Sequence, residues 1–136
     1  MITLFPEMFA GVFGSSMMWK AQKDGHVELS TIDLRQFGIG PRRTVDDTPY
    51  GGGDGMLLMV EPLWHAVQQA KQNDPSAKVL IMTPRGQRWR QALAQQYSES
   101  EDGYIVICGR YEGYDERIMA LVDQELSVGD YVLTGG

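Results

Sequence analysis

The stretch 104-YIVICGRYEG-113 indicates which kind of fold this chain adopts. Its first five residues form an unbroken apolar run, which is typical of a strand buried on both faces of a parallel sheet. Gly109 then permits a sharp turn, and charged residues follow at once. The pattern predicts a buried strand that ends at Cys108, with a polar loop directly after it.

Other strand-like segments lie on both sides of this stretch. "ITLF" (2–5) and "KVLIMT" (78–83) are short apolar runs of the same kind. "HVELSTIDLR" (26–35) alternates apolar and polar residues, a period that predicts a half-buried strand. "ELSVGDYVLT" (125–134) is the last extended segment.

Helical periodicity separates these strands. Apolar residues recur every three or four positions within residues 8–17, 60–67 and 86–97, and "YDERIMALV" (114–122) predicts one more short helix. Strands that alternate with helices predict an α/β fold, with a mostly parallel sheet flanked by helices.

The composition limits the classes of protein to which the chain can belong. Its 136 residues, 43% of them hydrophobic, are enough for one domain with a buried core. No apolar run approaches the roughly 20 residues that a membrane span needs, and the N-terminus does not resemble a signal peptide. A single cysteine fits a reducing compartment, so we expect a cytoplasmic protein without membrane contact. Two histidines and one cysteine, far apart in sequence, do not predict a zinc site.

The charge argues against a general nucleic-acid coat protein, because the net charge is −6 and phosphate binding relies on Lys and Arg. Arginines nevertheless cluster in "GPRRT" (40–44) and "PRGQRWR" (84–90). Such local patches can dock a polyanion, or they can be ordinary solvated surface charge.

Three strand exits are the candidate sites. In a parallel α/β sheet, ligands bind beyond the carboxyl ends of the strands. That rule points to "MTPRG" (82–86), "CGRYEG" (108–113) and "VGDYVLTGG" (128–136). Loops at such exits commonly carry functional residues.

Each exit has a structural alternative. The charges of residues 110–117 form either a site or an ion-pair network that caps the next helix. Backbone amides between the small residues of 128–136 can read the edge of a flat ring such as adenine, while Tyr131 and Leu133 cover its faces. The same segment can instead be a hairpin or a plain strand end.

Two further features carry less information. "PYGGGDGM" (49–56) can wrap a ligand or another chain, or it is a flexible surface loop. It is not a phosphate-binding loop, because no Lys-Ser or Lys-Thr follows its last glycine. Cys108 ends an apolar run with no histidine nearby, which favours a buried structural thiol over a nucleophile.

Four of these stretches together resemble one enzyme family. "TLFPEMF" (3–9), "RRTVDDTPYGGGDGM" (42–56), "CGRYEGYDER" (108–117) and "SVGDYVLTGG" (127–136) are similar, in the same order, to the bacterial tRNA (guanine-N1)-methyltransferases. The resemblance covers essentially the whole chain. It implies a SPOUT-type α/β fold with a C-terminal trefoil knot, a homodimer, and S-adenosylmethionine as methyl donor.

The resemblance also assigns the cofactor-binding residues position by position. It implies contacts from Thr83, Pro84, Gly109, Tyr111, Glu112, Gly113, Val128, Gly129, Asp130, Tyr131, Val132, Leu133, Gly135 and Gly136. These are the three strand exits that the sheet rule selects. Within these exits, Glu112 is the best local candidate for a supporting role, near the methyl donor or a magnesium ion.

The implied reaction is methylation of N1 of guanine 37, next to the anticodon of tRNA. The family's general base is an aspartate that works with an arginine, and both are expected beyond Gly136, in a lid and a C-terminal tRNA-binding domain. We therefore expect residues 1–136 to be the cofactor-binding domain, with no catalytic residue and no activity alone. Two features depart from the family pattern: Asp54 stands where many relatives have proline, and "TPRGQRWR" (83–90) is unusually basic.

Two other functions remain open from the sequence. One is a SPOUT methyltransferase that modifies a different RNA. The other is a catalytically silent module for dimerisation or RNA binding, although the acidic composition and the retained loop glycines argue against it.

Overall fold

A five-stranded parallel sheet organises residues 1–135, the part of the chain that the computed structural model describes. In chain order, its strands are β1 (Ile2–Thr3), β2 (Ile32–Asp33), β5 (Lys78–Arg88), β6 (Tyr104–Ile107) and β7 (Gln124–Ser127). They lie side by side in the order β2-β1-β6-β5-β7, and every pairing is parallel. Two short strands, β3 (Asp46–Asp47) and β4 (Leu57–Leu58), form a separate antiparallel pair.

Helices connect the strands. They are α1 (Glu7–Phe13), α2 (Ser16–Lys23), α3 (Val60–Asn73) and α4 (Gln91–Ser98), with 3₁₀ helices at Leu34–Phe37 and Glu116–Leu121. The alternating order confirms the predicted α/β fold with a mostly parallel sheet. None of these helices, within residues 1–135, is long and apolar enough to cross a membrane.

Both faces of the sheet carry apolar side chains. Because neighbouring residues of a strand point to opposite faces, Ile81 joins the larger core with Leu63 of α3, and Leu80 joins a smaller core with Leu93 of α4. Leu63 and Ile81 are fully buried, and each such side chain stabilises the fold by about 1.5–3 kcal/mol.

Two predicted elements are shorter than expected. The helix predicted over 8–17 is divided, because α1 ends at Phe13 with Gly14 as its C-cap, and Ser15 is extended (φ −130°, ψ 152°) before α2 begins. The strand predicted over 26–35 has only two ladder residues, Ile32 and Asp33. β2 is an edge strand, and its only sheet partner within residues 1–135, β1, is itself two residues long.

The second half of the chain differs at three boundaries. α4 begins at Gln91, later than the predicted helix over 86–97, because β5 continues to Arg88. The helix predicted over 114–122 is a 3₁₀ helix, capped by the Asp115 carboxylate, which accepts a hydrogen bond from the backbone N–H of Arg117. The extended segment predicted over 125–134 leaves the sheet after Ser127, where its pairing with β5 ends.

An interruption of β5 shapes the edge of the sheet. Met82 and Gln87 both pair with Leu126 of β7, so residues 83–86 leave the ladder between them. We call residues 83–86 the β5 excursion. It lies at the carboxyl side of the sheet, beside the ends of β6 and β7.

Candidate functional site

A cavity of about 460 Å³ lies at the carboxyl ends of β5, β6 and β7. All three predicted strand exits contribute to its lining, so segments distant in sequence converge as the sheet rule predicts. Among the predicted site residues, the structure brings together around this cavity Thr83, Pro84, Gly109, Tyr111, Glu112, Gly113, Val128, Tyr131, Val132, Leu133 and Gly135.

Three predicted residues stand apart from this group. Gly129 and Asp130 belong to the same segment but are not part of the lining. Gly129 is buried, and the ring of Tyr131 covers it so closely that an added Cβ would meet that ring. Gly136 lies outside the described residues.

The β5 excursion forms the first wall. Its last residue, Gly86, lies so close to β7 that an added Cβ would sit 2.5 Å from the backbone N of Leu126. Only glycine fits that approach. Thr83 and Pro84, at the start of the same excursion, therefore line the cavity from a segment that packs against β7.

The loop after β6 forms the second wall. Cys108 is buried at the strand end, and burial raises the pKa of its thiol, so the group stays protonated, as a structural thiol would. Tyr111 adopts φ 60° and Gly113 φ 133°. A tyrosine at positive φ is uncommon and concentrates at functional sites, because the surrounding structure must hold the strained backbone.

The charges after β6 divide into two groups. Asp115 pairs with Arg117 at 2.6 Å, and Glu116 pairs with Arg85 at 2.6 Å. Bonds to Arg117 hold the pKa of the Asp115 carboxyl below its usual value. Glu112 and Arg110, in contrast, line the cavity and are in no ion pair within residues 1–135. The exit thus contains an ion-pair network and, beside it, charged side chains that line the cavity.

Arg110 is held by other contacts. Its guanidinium lies 4.7 Å from the ring centroid of Phe5, and one of its nitrogens lies 3.7 Å from the sulfur of Met8. It also reaches the backbone oxygen of Thr134 at 3.5 Å. The side chain therefore connects helix α1 to the third wall.

The third wall is apolar and open to solvent. Val128 and Leu133 are about half exposed, and Val132 is 81% exposed, although all three line the cavity. Ser127 fixes the start of this wall, because its hydroxyl donates to the Gly129 oxygen (2.7 Å) and accepts from the Gly129 N–H (3.3 Å). An exposed apolar surface of this kind is typical of a ligand site.

Comparisons with known proteins show the family to which the chain belongs. The family model for "tRNA (Guanine-1)-methyltransferase TrmD" matches residues 1–136. The chain belongs to this family. A tRNA (guanine-N(1)-)-methyltransferase of Myxococcus xanthus (strain DK1622) is 50% identical over 135 residues, which are 99% of this chain and 55% of the relative. A second one, from Geobacillus kaustophilus (strain HTA426), is 46% identical over 136 residues, with the same coverage.

A solved structure of the family has the same fold. The crystal structure of tRNA (m1G37) methyltransferase from Aquifex aeolicus superposes with a TM-score of 0.88 at 41% identity, over 99% of this chain and 61% of that chain. The resemblance found in the sequence is thereby confirmed. The chain spans about half the length of the curated relatives it matches, and the trefoil knot stays a prediction.

Some lining residues of this family member were missed in the sequence. Met82, Arg85, Arg110 and Thr134 lie inside the three exits but were not among the residues that the resemblance assigned. Tyr114, Glu116, Leu126 and Ser127 adjoin the exits, and a wider window around each exit would have found them. Leu57 comes from β4, which no exit contains.

Backbone contacts bring β4 to the cavity. The Leu58 N–H donates to the oxygen of Gly113 at 3.0 Å, and the Asp115 N–H donates to the oxygen of Leu58 at 2.8 Å. The glycine-rich loop ends on the same wall, because the Glu112 N–H donates to the Met56 oxygen at 3.0 Å. A Cβ at Gly55 would collide with the Glu112 side chain, so this glycine permits the close approach.

Proposed function

We propose that residues 1–136 form the S-adenosylmethionine-binding domain of an enzyme that methylates N1 of guanine 37 in tRNA. The observation that carries the proposal is the convergence of three glycine-containing strand exits on one cavity of about 460 Å³. Family membership supports it. The lid and the tRNA-binding domain are proposed to belong to the rest of the enzyme.

The cavity suits the chemistry of S-adenosylmethionine. Its volume falls within the roughly 300–1,000 Å³ of small-molecule sites. The apolar wall, with Val132 and Leu133, suits the faces of an adenine ring, and the neighbouring backbone suits its polar edge. The ligand also carries a sulfonium and an ammonium group, and the carboxylate of Glu112, which is in no ion pair within residues 1–135, suits a cation.

When bound, S-adenosylmethionine supplies an electrophilic methyl group on its sulfonium sulfur. The task of this chain is to hold and orient that donor, since placing the two reacting atoms in line supplies much of the rate. Removal of the guanine N1 proton needs a general base. We propose that this base is an aspartate assisted by an arginine, both outside residues 1–136, and that Glu112 supports them from the cavity.

Magnesium has no support among the described residues. No group of three His, Cys, Asp or Glu side chains within residues 1–135 is arranged to hold a metal ion. No step of the proposed mechanism passes through a metal.

A homodimer in the cytoplasm is part of the same proposal. Helices α1 and α2 expose several large apolar side chains: Met8 (64%), Val12 (59%), Met17 (70%) and Trp19 (50%). A second copy of the chain is the proposed partner of this surface. Because Met8 contacts Arg110, which lines the cavity, this exposed apolar surface lies beside the cavity. Dimerisation would therefore enclose the site further.

The dimer is tested by analytical ultracentrifugation of the chain and of Met17→Lys. We expect a wild-type dimer and a variant shifted towards monomer, since a buried charge without a partner is costly. Val27→Lys, which changes an exposed residue outside α1 and α2, is the matched control. A monomeric wild type, or a Met17→Lys variant as dimeric as the control, would contradict the proposed surface.

Calorimetric titration with S-adenosylmethionine tests the central proposal. We expect saturable binding that Leu133→Asp weakens about tenfold or more, because the new carboxylate must be desolvated in an apolar wall. Leu133 is 56% exposed, so the fold should tolerate the change, and Val27→Asp is the control. A folded wild-type chain that releases no heat at millimolar ligand would refute the proposal.

A second assay tests the substrate. The full-length enzyme should form N1-methylguanine in tRNA, detected by mass spectrometry of the digested nucleosides, whereas residues 1–136 alone should not. Methylation at another nucleoside would favour the SPOUT enzyme for a different RNA. Turnover by the 136-residue chain would place the base within it.

A further inference from the structure

The β5 excursion has two points of attachment. Its base is Gly86, which is pressed against the backbone of β7. Its other attachment is Arg85, the residue next to Gly86, whose side chain reaches two acidic residues from different elements. Thr83 and Pro84, between the ladder and these attachments, line the cavity together with Arg85.

The Arg85 guanidinium bonds to both carboxylates with short distances. Nη2 lies 2.6 Å from Oε1 of Glu116, and Nε lies 2.7 Å from Oε2 of Glu125. The same Glu125 oxygen accepts a hydrogen bond from the hydroxyl of Tyr114 at 3.3 Å. One side chain therefore joins the β5 excursion, the first turn of the 3₁₀ helix at 116–121 and strand β7.

These three elements are also walls of the cavity. Tyr114 and Glu116 line it directly, and Glu125 precedes the lining residues Leu126 and Ser127. The two carboxylates raise the pKa of Arg85 above its ordinary value, so the guanidinium is charged at physiological pH. The network therefore remains formed across the physiological range.

We propose that Arg85 is a positioning residue: its paired guanidinium holds the β5 excursion in the shape that forms the cofactor site before the ligand arrives. The inference rests on the proposed function and adds a residue and a role to it. A site that is already formed spends less binding free energy on ordering its own segments. Loss of the network should therefore weaken binding more than it weakens the fold.

Loss of the Arg85 ion pairs should lower the free energy of unfolding only slightly. Arg85 and Glu116 are each more than half exposed, and exposed pairs add little to stability. Removal of Arg85 also leaves Glu116 and Glu125 without a cation between them. The excursion is then released on one side while Gly86 still anchors the other.

Three variants separate positioning from charge. Arg85→Gln removes the charge and keeps a polar side chain of moderate length. Arg85→Lys keeps the charge but lacks the planar fork that bonds two carboxylates together. Arg88→Gln is the matched control, because Arg88 lies on the same strand, is exposed, and is in no ion pair within residues 1–135.

Two measurements test the proposal. Calorimetry with S-adenosylmethionine should show a Kd about three- to tenfold higher for Arg85→Gln, a smaller rise for Arg85→Lys, and no change for Arg88→Gln. Hydrogen exchange of the free chain should show faster exchange at the backbone amides of Thr83 and residues 85–87 in Arg85→Gln; Pro84 has no amide hydrogen. The control should leave those amides unchanged.

A double-mutant cycle distinguishes the proposed role of the Arg85–Glu116 ion pair from a general loss of structure. In an Arg85→Gln background, Glu116→Gln should add little to the change in Kd, because the two residues act through one bond. Additive effects of the two changes would overturn the proposal. So would equal exchange rates in the wild type and Arg85→Gln.

The proposed function and this inference fail in different ways. A wild-type chain that binds no S-adenosylmethionine contradicts the proposed function, and the exchange measurement still decides whether Arg85 holds the excursion. A wild type that binds, with Arg85→Gln binding equally well, contradicts the role of Arg85 alone. If Arg85→Gln does not fold, Arg85→Lys carries both measurements.

Discussion

Replacing Gly86 with alanine should damage the fold and the cavity together. A Cβ at this position would lie 2.5 Å from the N of Leu126 and 2.6 Å from the carbonyl carbon of Glu125. Those atoms belong to the backbone of β7, which is paired with β5 on both sides of the excursion, so neither partner can move away without loss of ladder hydrogen bonds. Overpacking of this kind costs about 1–3 kcal/mol.

Urea unfolding of Gly86→Ala, followed by circular dichroism, measures that cost. Gly11→Ala is the control, because nothing lies within 4 Å of a Cβ there and the position is inside helix α1. The control should gain about 0.5–1 kcal/mol from helix propensity, whereas Gly86→Ala should lose free energy of unfolding. A Gly86→Ala chain as stable as the wild type would show that the excursion does not lie against β7.

Three further outcomes are expected. Val132→Ala, at an exposed position of the cavity wall, should raise the Kd for S-adenosylmethionine about tenfold, because two methyl groups no longer contact the ligand. The free energy of unfolding should not change. Equal calorimetric isotherms for the variant and the wild type would contradict the apolar wall. Asp115→Asn should lower stability at neutral pH. Arg117 lowers the pKa of Asp115 in the folded chain. The stabilisation that this ion pair gives is therefore present above the ordinary pKa of 3.8, and it is lost as the pH falls through the lower pKa of the folded state. Urea midpoints of the two proteins should therefore converge in acid; parallel curves would contradict the pairing. Cys108 should react with a thiol reagent far more slowly in the folded chain than in urea, because its thiol is buried and its pKa raised; similar labelling rates would show that the strand end is open.

Local sequence predicted the central strands and the place of the site. "VLI" (79–81) and "YIVI" (104–107) are apolar throughout because β5 and β6 are flanked by other strands and covered on both faces, so their signal does not depend on a distant partner. Strand exits follow from the strands. For that reason Gly109, Tyr111 and Glu112 could be assigned to one edge of the sheet from the sequence.

The edges of the fold depend on partners that local sequence does not reveal. Residues 26–31 alternate like a strand, but they stay outside the sheet, since β1 offers β2 only two residues. Trp89, Leu93 and Tyr97 have helical spacing, and Trp89 does contact Tyr97 with ring centroids 5.5 Å apart. Trp89 nevertheless precedes the helix, because its backbone N–H donates to the backbone oxygen of Ser127 in β7, far later in the sequence.

The same dependence explains why the charged loop after β6 could not be divided into network and site from sequence. Glu112 and Glu116 are four residues apart and chemically equivalent. What distinguishes them is Arg85, which arrives from the β5 excursion and pairs with Glu116. Because that cation is committed to Glu116 and Glu125, the carboxylate of Glu112 remains the one on this loop that lines the cavity without an ion pair within residues 1–135. A cationic ligand would therefore meet Glu112 in preference to its neighbours, and that preference is set by Arg85, a residue of a different segment of the chain.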